Sequence, residues 1–155
     1  MQEKVCSFFG HREIDCGEAL YAKIENEIKR LILNGGITKF LFGGYGEFDL
    51  QCHTVVTRLK EEYPFIKRIF CYSDEKALMR LKRIGAFKES EYEETLFLPL
   101  KYNYWYTRIY YRNCEIINAS DYVIFYVKVK EGSGAYKALQ YAQRKRKDCK
   151  NLALD

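Results

Sequence analysis

The chain has six cysteines in 155 residues, yet no two form a Cys-x-x-Cys pair: Cys6, Cys16, Cys52, Cys71, Cys114 and Cys149 stand singly. That removes the usual zinc-ribbon spacing and gives no disulfide framework. Cys52 and His53 are adjacent, but neighbours on a helix point in different directions, so the pair alone makes no metal site. Neither a metal nor a cofactor is expected. Long apolar runs are also missing. None approaches the roughly 18 residues of a membrane span, and MQEKVCSFFG lacks the apolar core of a signal peptide. A cytoplasmic protein with no membrane partner is expected. No internal repeat or low-complexity tract occurs. Neither G-x-G-x-x-G nor G-x-x-x-x-G-K-[ST] is present, so the standard dinucleotide fingerprint and the P-loop ATPase are absent.

Charge of one sign is weak as well. Twenty-six basic against 21 acidic residues leave +5. That permits an anionic ligand without announcing DNA or RNA, so nucleic acid is not expected as a partner. The densest basic run, Arg144 to Lys147 followed by Lys150, falls where a last helical turn is expected, and cations suit that end of the dipole.

What is present suits one soluble domain over residues 1–155: 48% hydrophobic residues for a core and 30% charged residues for a surface. Lys4 to Phe9 is apolar and bounded by Gly10, a first strand. Leu20, Ile24, Ile28, Leu31 and Ile32 recur at helical spacing over 17–33, and Asn34, Gly35 and Gly36 stop that helix. Thr38 to Phe42 reads as a second strand. A helix over 47–62 follows, with Phe48, Cys52, Val55, Val56 and Leu59 on one face. Ile66 to Tyr72 reads as a third strand. A short helix is expected over 74–85, an extended segment over 92–100, and a helix over 106–119 with Ile109, Ile116 and Ile117 buried. The nearly continuous apolar run at 121–127 is a strand, Ser133 to Lys147 the last helix, and Asn151 to Leu154 a final short strand. Strands alternating with helices, and apolar on both faces, predict a three-layer α/β Rossmann-like fold with a mainly parallel sheet.

Ligands of open α/β sheets collect beyond the C-terminal ends of the strands. Three such ends carry unusual residues: Gly10-His11-Arg12, Gly43-Gly44-Tyr45-Gly46 and Gly132-Ser133-Gly134. Glycines there let a ligand approach the backbone, and the following helix offers free amides and a favourable dipole to an anion. Arg12 either forks onto a phosphate or pairs with Asp15. His11 either contacts a ligand or steadies its loop. Glu47 and Asp49 open the second helix, where acids commonly complement the dipole. Beside the glycine loop, Glu47 can instead face a sugar, a base or an arginine, or stabilise a departing glycoside, and Asp49 can hydrogen-bond the loop backbone. Arg112 is a second anion contact, and Asn113 can satisfy loop amides. The aromatic cluster Tyr102, Tyr104, Trp105, Tyr106, Tyr110 and Tyr111 packs a connection, forms a homo-oligomer interface or stacks a base.

The stretches VCSFFGHR at 5–12, LFGGYGEFD at 41–49, LKEEYPFIKRI at 59–69, YRNCEIINASDYVIFYV at 111–127 and GSGAYKALQYA at 132–142 together resemble the YpsA-like family, small uncharacterised bacterial proteins within the SLOG superfamily. That superfamily joins the DNA-processing Smf/DprA proteins with the LOG cytokinin-activating enzymes. The resemblance implies a Rossmann-like fold and a site for a nucleotide or nucleotide-derived ligand. It places Gly10, His11 and Arg12 in the first-strand motif, and Gly43, Gly44, Gly46, Glu47 and Asp49 in the second. Arg112 and Asn113 fall in the pre-strand motif, and Gly132, Gly134 and Ala135 in the last loop. LOG enzymes carry P-G-G-x-G-T-x-x-E in that loop. Here EGSGAYKAL has neither the Thr nor the Glu, and Ala138 stands three residues beyond Ala135.

Three functions follow as expectations. The first is binding or sensing of a nucleotide-derived small molecule through Gly10, Arg12, Gly43, Gly44, Gly46, Arg112, Asn113, Gly132, Ser133 and Gly134. The second is LOG-like hydrolysis or transfer at an N-glycosidic bond, with Glu47 central and His11 or Asp49 assisting. The third is a single-stranded nucleic-acid-binding module, by analogy with the DprA branch, against which the modest charge stands.

Overall fold

The structure, a computed structural model, describes residues 3–15, 17–44, 46–101, 106–128 and 132–154. Among the described residues six strands alternate with five helices: β1 (Lys4–Gly10), α1 (Glu18–Gly35), β2 (Ile37–Phe42), α2 (Gly46–Glu62), β3 (Lys67–Tyr72), α3 (Glu75–Arg83), β4 (Glu94–Phe97), α4 (Arg108–Asn118), β5 (Tyr122–Tyr126), α5 (Gly134–Arg144) and β6 (Asp148–Asn151). The strands form one sheet in the order β4-β3-β2-β1-β5-β6, and every pairing is parallel. This is the three-layer Rossmann-like α/β fold.

Strand alternation decides the layers. Cys6, Phe8, Phe40, Phe42, Ile124 and Tyr126 point to one face and pack on α1 and α2. Phe9, Leu41, Val123, Phe125 and Val127 point to the other and pack on α4 and α5. Phe70 of β3 meets Leu78 of α3 and Phe87 at the β4 edge. Fully buried Phe40, Phe42, Phe48 and Phe125 each contribute on the order of 2 kcal/mol of apolar burial. All five apolar positions read from the periodicity of α1, and all five of α2, are buried. Gly36 takes a left-handed φ of 70° and its amide returns to Leu31, closing α1.

The chain runs outward from β1 through β2 and β3 to β4, then crosses back to β5 on the far side of β1. The sheet order therefore reverses between β1 and β5, where Gly10 lies level with Tyr126. At such a switch point the two following segments leave on opposite faces and open a crevice at the strand ends.

Four expectations about elements are corrected. The final strand is Asp148–Asn151, and 151–154 continues as a short 3-10 turn. It pairs early because α5 ends at Arg144 and the chain turns at Arg146, φ 55°. The basic run consequently straddles the helix end. Lys147 donates from Nζ to the carbonyls of Asn118 and Ser120, so it serves the C-terminus of α4 rather than of α5. The extended segment at 92–100 supplies a strand of only four residues. Ile109 is 42% exposed, unlike buried Ile116 and Ile117, because it lies in the first turn of α4 where it lines two open cavities. Tyr102, Tyr104 and Trp105 lie outside the described residues; Tyr106 is exposed.

Candidate functional site

Two cavities open at the C-terminal edge of the sheet and share a wall made by Gly43, Asp49, Ile109 and Arg112. The first, about 470 Å³, lies at the switch point. It gathers Gly10, His11, Arg12, Gly43, Asp49, Arg112, Asn113, Gly132, Ser133 and Gly134. Three separate strand ends and α4 thus bring ten of the sequence-derived candidates together. Gly44 and Gly46 line the second cavity, about 1050 Å³, and Glu47 lines neither.

The geometry separates the roles of these residues. His11 Nε2 accepts the Lys128 amide hydrogen at 2.8 Å, which puts the ring proton on Nδ1. Nδ1 then donates to Ser133 Oγ, 3.3 Å away. Burial lowers the His11 pKa, in keeping with a neutral ring. Ser133 is the N-cap of α5 and also accepts from the Tyr136 amide at 3.2 Å. With its oxygen accepting both, its hydroxyl hydrogen remains to donate. The amides of Gly134 and Ala135, the first two of the helix, have no acceptor within α5, and both residues line the cavity. His11 therefore bridges β1 to β5 and sets the start of α5.

The Gly43–Gly46 loop is built differently. Asp49 turns back from α2 and accepts the amides of Gly44 at 3.1 Å and Gly43 at 3.4 Å. The cradle expected for an external anion is filled by the chain's own carboxylate. Burial pushes the Asp49 pKa up to about 6, against the opposing pull of the Gly43 amide, the Arg112 charge and the Gly44 amide. Arg112 donates from Nη1 to the Gly43 carbonyl at 2.9 Å and from Nη2 to Asn113 Oδ1 at 3.2 Å. A Cβ on Gly43 would stand 2.6 Å from Nη2, so glycine is there to let the guanidinium lie against the backbone. Gly46, φ 85°, would bring a Cβ within 2.8 Å of the Arg12 Cα. Glu47 accepts the Ile14 amide at 2.7 Å, and its own amide bonds the Arg12 carbonyl at 2.8 Å. Its carboxylate thus holds the chain just after His11 and Arg12.

Sequence reasoning passed over the second cavity. Tyr72, Ser73, Asp74, Phe97 and Arg108 line it. Asp74 caps α3 by accepting the Lys76 and Ala77 amides, and Arg108 bridges to it at 3.3 Å. The signal was available: Ser73-Asp74 follows Tyr72, the last residue of β3, and the rule that pointed to the other strand ends points here too. Among the described residues no group of three or more His, Cys, Asp or Glu is arranged to hold a metal, and no helix is long and apolar enough to cross a membrane.

No family model matches the chain, and no curated protein matches it. A solved structure does. The DNA processing protein A of Helicobacter pylori, described for its single-stranded DNA binding mode, aligns with a TM-score of 0.54 at 18% identity. The alignment covers 94% of this chain and 63% of that one, so the chain spans less than two thirds of its neighbour's length. The expectation that nucleic acid is not a partner, drawn from mild net charge, is overturned by this finding: a protein of the same fold is a single-stranded DNA binder. The chain thus shares its fold with part of that DNA processing protein, at low sequence identity.

Proposed function

We propose that the protein binds or senses a nucleotide or nucleotide-derived ligand at the switch-point cavity, as its resemblance to the YpsA-like family implies. The observation that carries this reading is the convergence of the Gly134 and Ala135 amides, the Ser133 hydroxyl and Arg12 on one cavity. Each is a donor, two are backbone groups at a helix start, and Arg12 supplies a fork that matches a phosphate. His11 is a positioning residue that holds Ser133. If the site also does N-glycosidic chemistry, Asp49 is its acid, because Asp49 lines the cavity and its pKa of about 6 lets it exchange a proton near neutrality.

Calorimetry with a panel of nucleoside monophosphates and with inorganic phosphate tests the reading. Binding should appear in the wild type and weaken about tenfold or more in Arg12→Ala. Absence of binding across the panel, or full affinity in the variant, rejects it.

The fold neighbour favours a second reading, in which the same donors hold one phosphate of a single DNA strand. Anisotropy of a labelled oligothymidylate should then rise on binding, and the affinity should fall with added salt. A strand that does not bind at low salt excludes it.

A further inference from the structure

The two cavities differ in chemistry as sharply as they adjoin in space. Among the described residues, the first is lined by Arg12 and Arg112 against one acid, Asp49, and receives the start of α5. Among the described residues the second is lined by four acids and four bases, which balance in charge. It is instead aromatic: Phe70, Tyr72, Phe87, Tyr92 and Phe97 line it. Phe87 and Tyr92 stack within 5.5 Å and support the floor with buried Phe70. Tyr72 and Phe97 pair at 5.3 Å, and Phe97 is 40% exposed. Polar groups that can read a ring edge stand among them. Ser73 Oγ is buried without a hydrogen-bond partner, and Asp74 and Arg108 are both part-exposed beside it.

The shared wall of the cavities includes Gly43, which is bare backbone with the Arg112 guanidinium laid against it. Cavity one lies over β1 and β5 and cavity two over β2 and β3, so their centres are about two strand spacings apart, on the order of 10 Å. A charged end, a polar linker and a flat aromatic end fit that order of surroundings.

Resting on the proposed phosphate site, we propose that the second cavity is the receptor for the base of the same ligand. The phosphate sits against α5, the ribose crosses at Asp49 and Arg112, and the purine or pyrimidine ring stacks on Tyr72 and Phe97. The ligand class is thereby a nucleoside phosphate bound in two adjoining compartments, rather than a bare phosphate or sugar phosphate. Aromatic stacking tolerates every base, so the Ser73 hydroxyl and the Asp74–Arg108 pair carry the choice among bases.

The test compares inorganic phosphate with nucleoside monophosphates on the wild type, Phe97→Ala and Tyr72→Ala. The wild type should bind its preferred monophosphate at least tenfold more tightly than phosphate. Each variant should lose about tenfold for the monophosphate and nothing for phosphate. Equal affinity of the wild type for phosphate and for every monophosphate overturns this inference and leaves the phosphate site standing. Unchanged monophosphate affinity in both variants, or a parallel loss of phosphate affinity, also overturns it. A wild type that binds neither probe removes the phosphate site and this inference together. Phe97 lies on a four-residue edge strand, so its variant tests the idea with little risk to folding.

Discussion

The loops Gly43–Gly46 and Gly132–Gly134 look alike in sequence and do opposite things. Both carry glycines between a strand and a helix. In the first, space and amides are consumed from within: Arg112 lies on Gly43, Phe70 approaches Gly44, Arg12 crosses Gly46, and Asp49 takes two amides. In the second, a Cβ added at Gly132 or Gly134 meets nothing within 4 Å among the described residues. The difference teaches that a glycine-rich loop is a packing device or an open cradle according to what already stands opposite it.

The largest effect that sharpens this contrast is expected at Gly46. Gly46→Ala combines a left-handed φ with a contact against backbone that cannot swing aside, and should cost about 3 kcal/mol in urea unfolding. A cost below about 1 kcal/mol would break the claim that this loop is packed.

Next comes Asp49. Its folded pKa of about 6 lies above the ordinary 3.8. A raised carboxyl pKa means that the folded state holds the proton more tightly than the unfolded state. The contribution is present below about pH 4 and is lost as pH rises to about 6. Wild type should therefore lose about 2 kcal/mol relative to Asp49→Asn between pH 4 and 7. Parallel pH profiles of the two proteins would show that the carboxylate is not buried as described.

His11→Ala should cost about 1 kcal/mol, by leaving the Lys128 amide and Ser133 without their ring partner. The smallest effect is expected at Gly134. Its φ is not left-handed and its surroundings among the described residues are open, so Gly134→Ala should leave stability within about 0.5 kcal/mol. A loss as large as that of Gly46→Ala would erase the distinction between the loops.

Periodicity and strand composition carried the fold. The alternation of apolar runs with 3.6-residue patterns led to the parallel sheet, and the stop at Gly36 was written in three successive residues. β6 was less legible, because Asp148, Cys149, Lys150 and Asn151 form a partly exposed edge strand with no apolar run to announce it. Ile109 misled because helical spacing says which face a residue takes and not whether that face meets packed side chains or an open cavity. Strand-end reasoning found the residues of the first cavity. Asp49 bonds the loop backbone at Gly43 and Gly44, one of the readings open from the sequence, whereas the role of Glu47 was not readable, since it depends on where the side chain turns after the loop closes, across to Ile14. The second cavity went unread because its members come from β3, α3, β4 and α4 and carry no glycine signature.

Backbone amide shifts, followed by NMR as a nucleoside monophosphate is added, test the central claim most directly. The account predicts that the Gly134 and Ala135 amides move most, that Gly43 and Gly44 move less because Asp49 already holds them, and that Arg12→Ala abolishes the response. Largest shifts at Gly43 and Gly44, or none at any of the four, would contradict it.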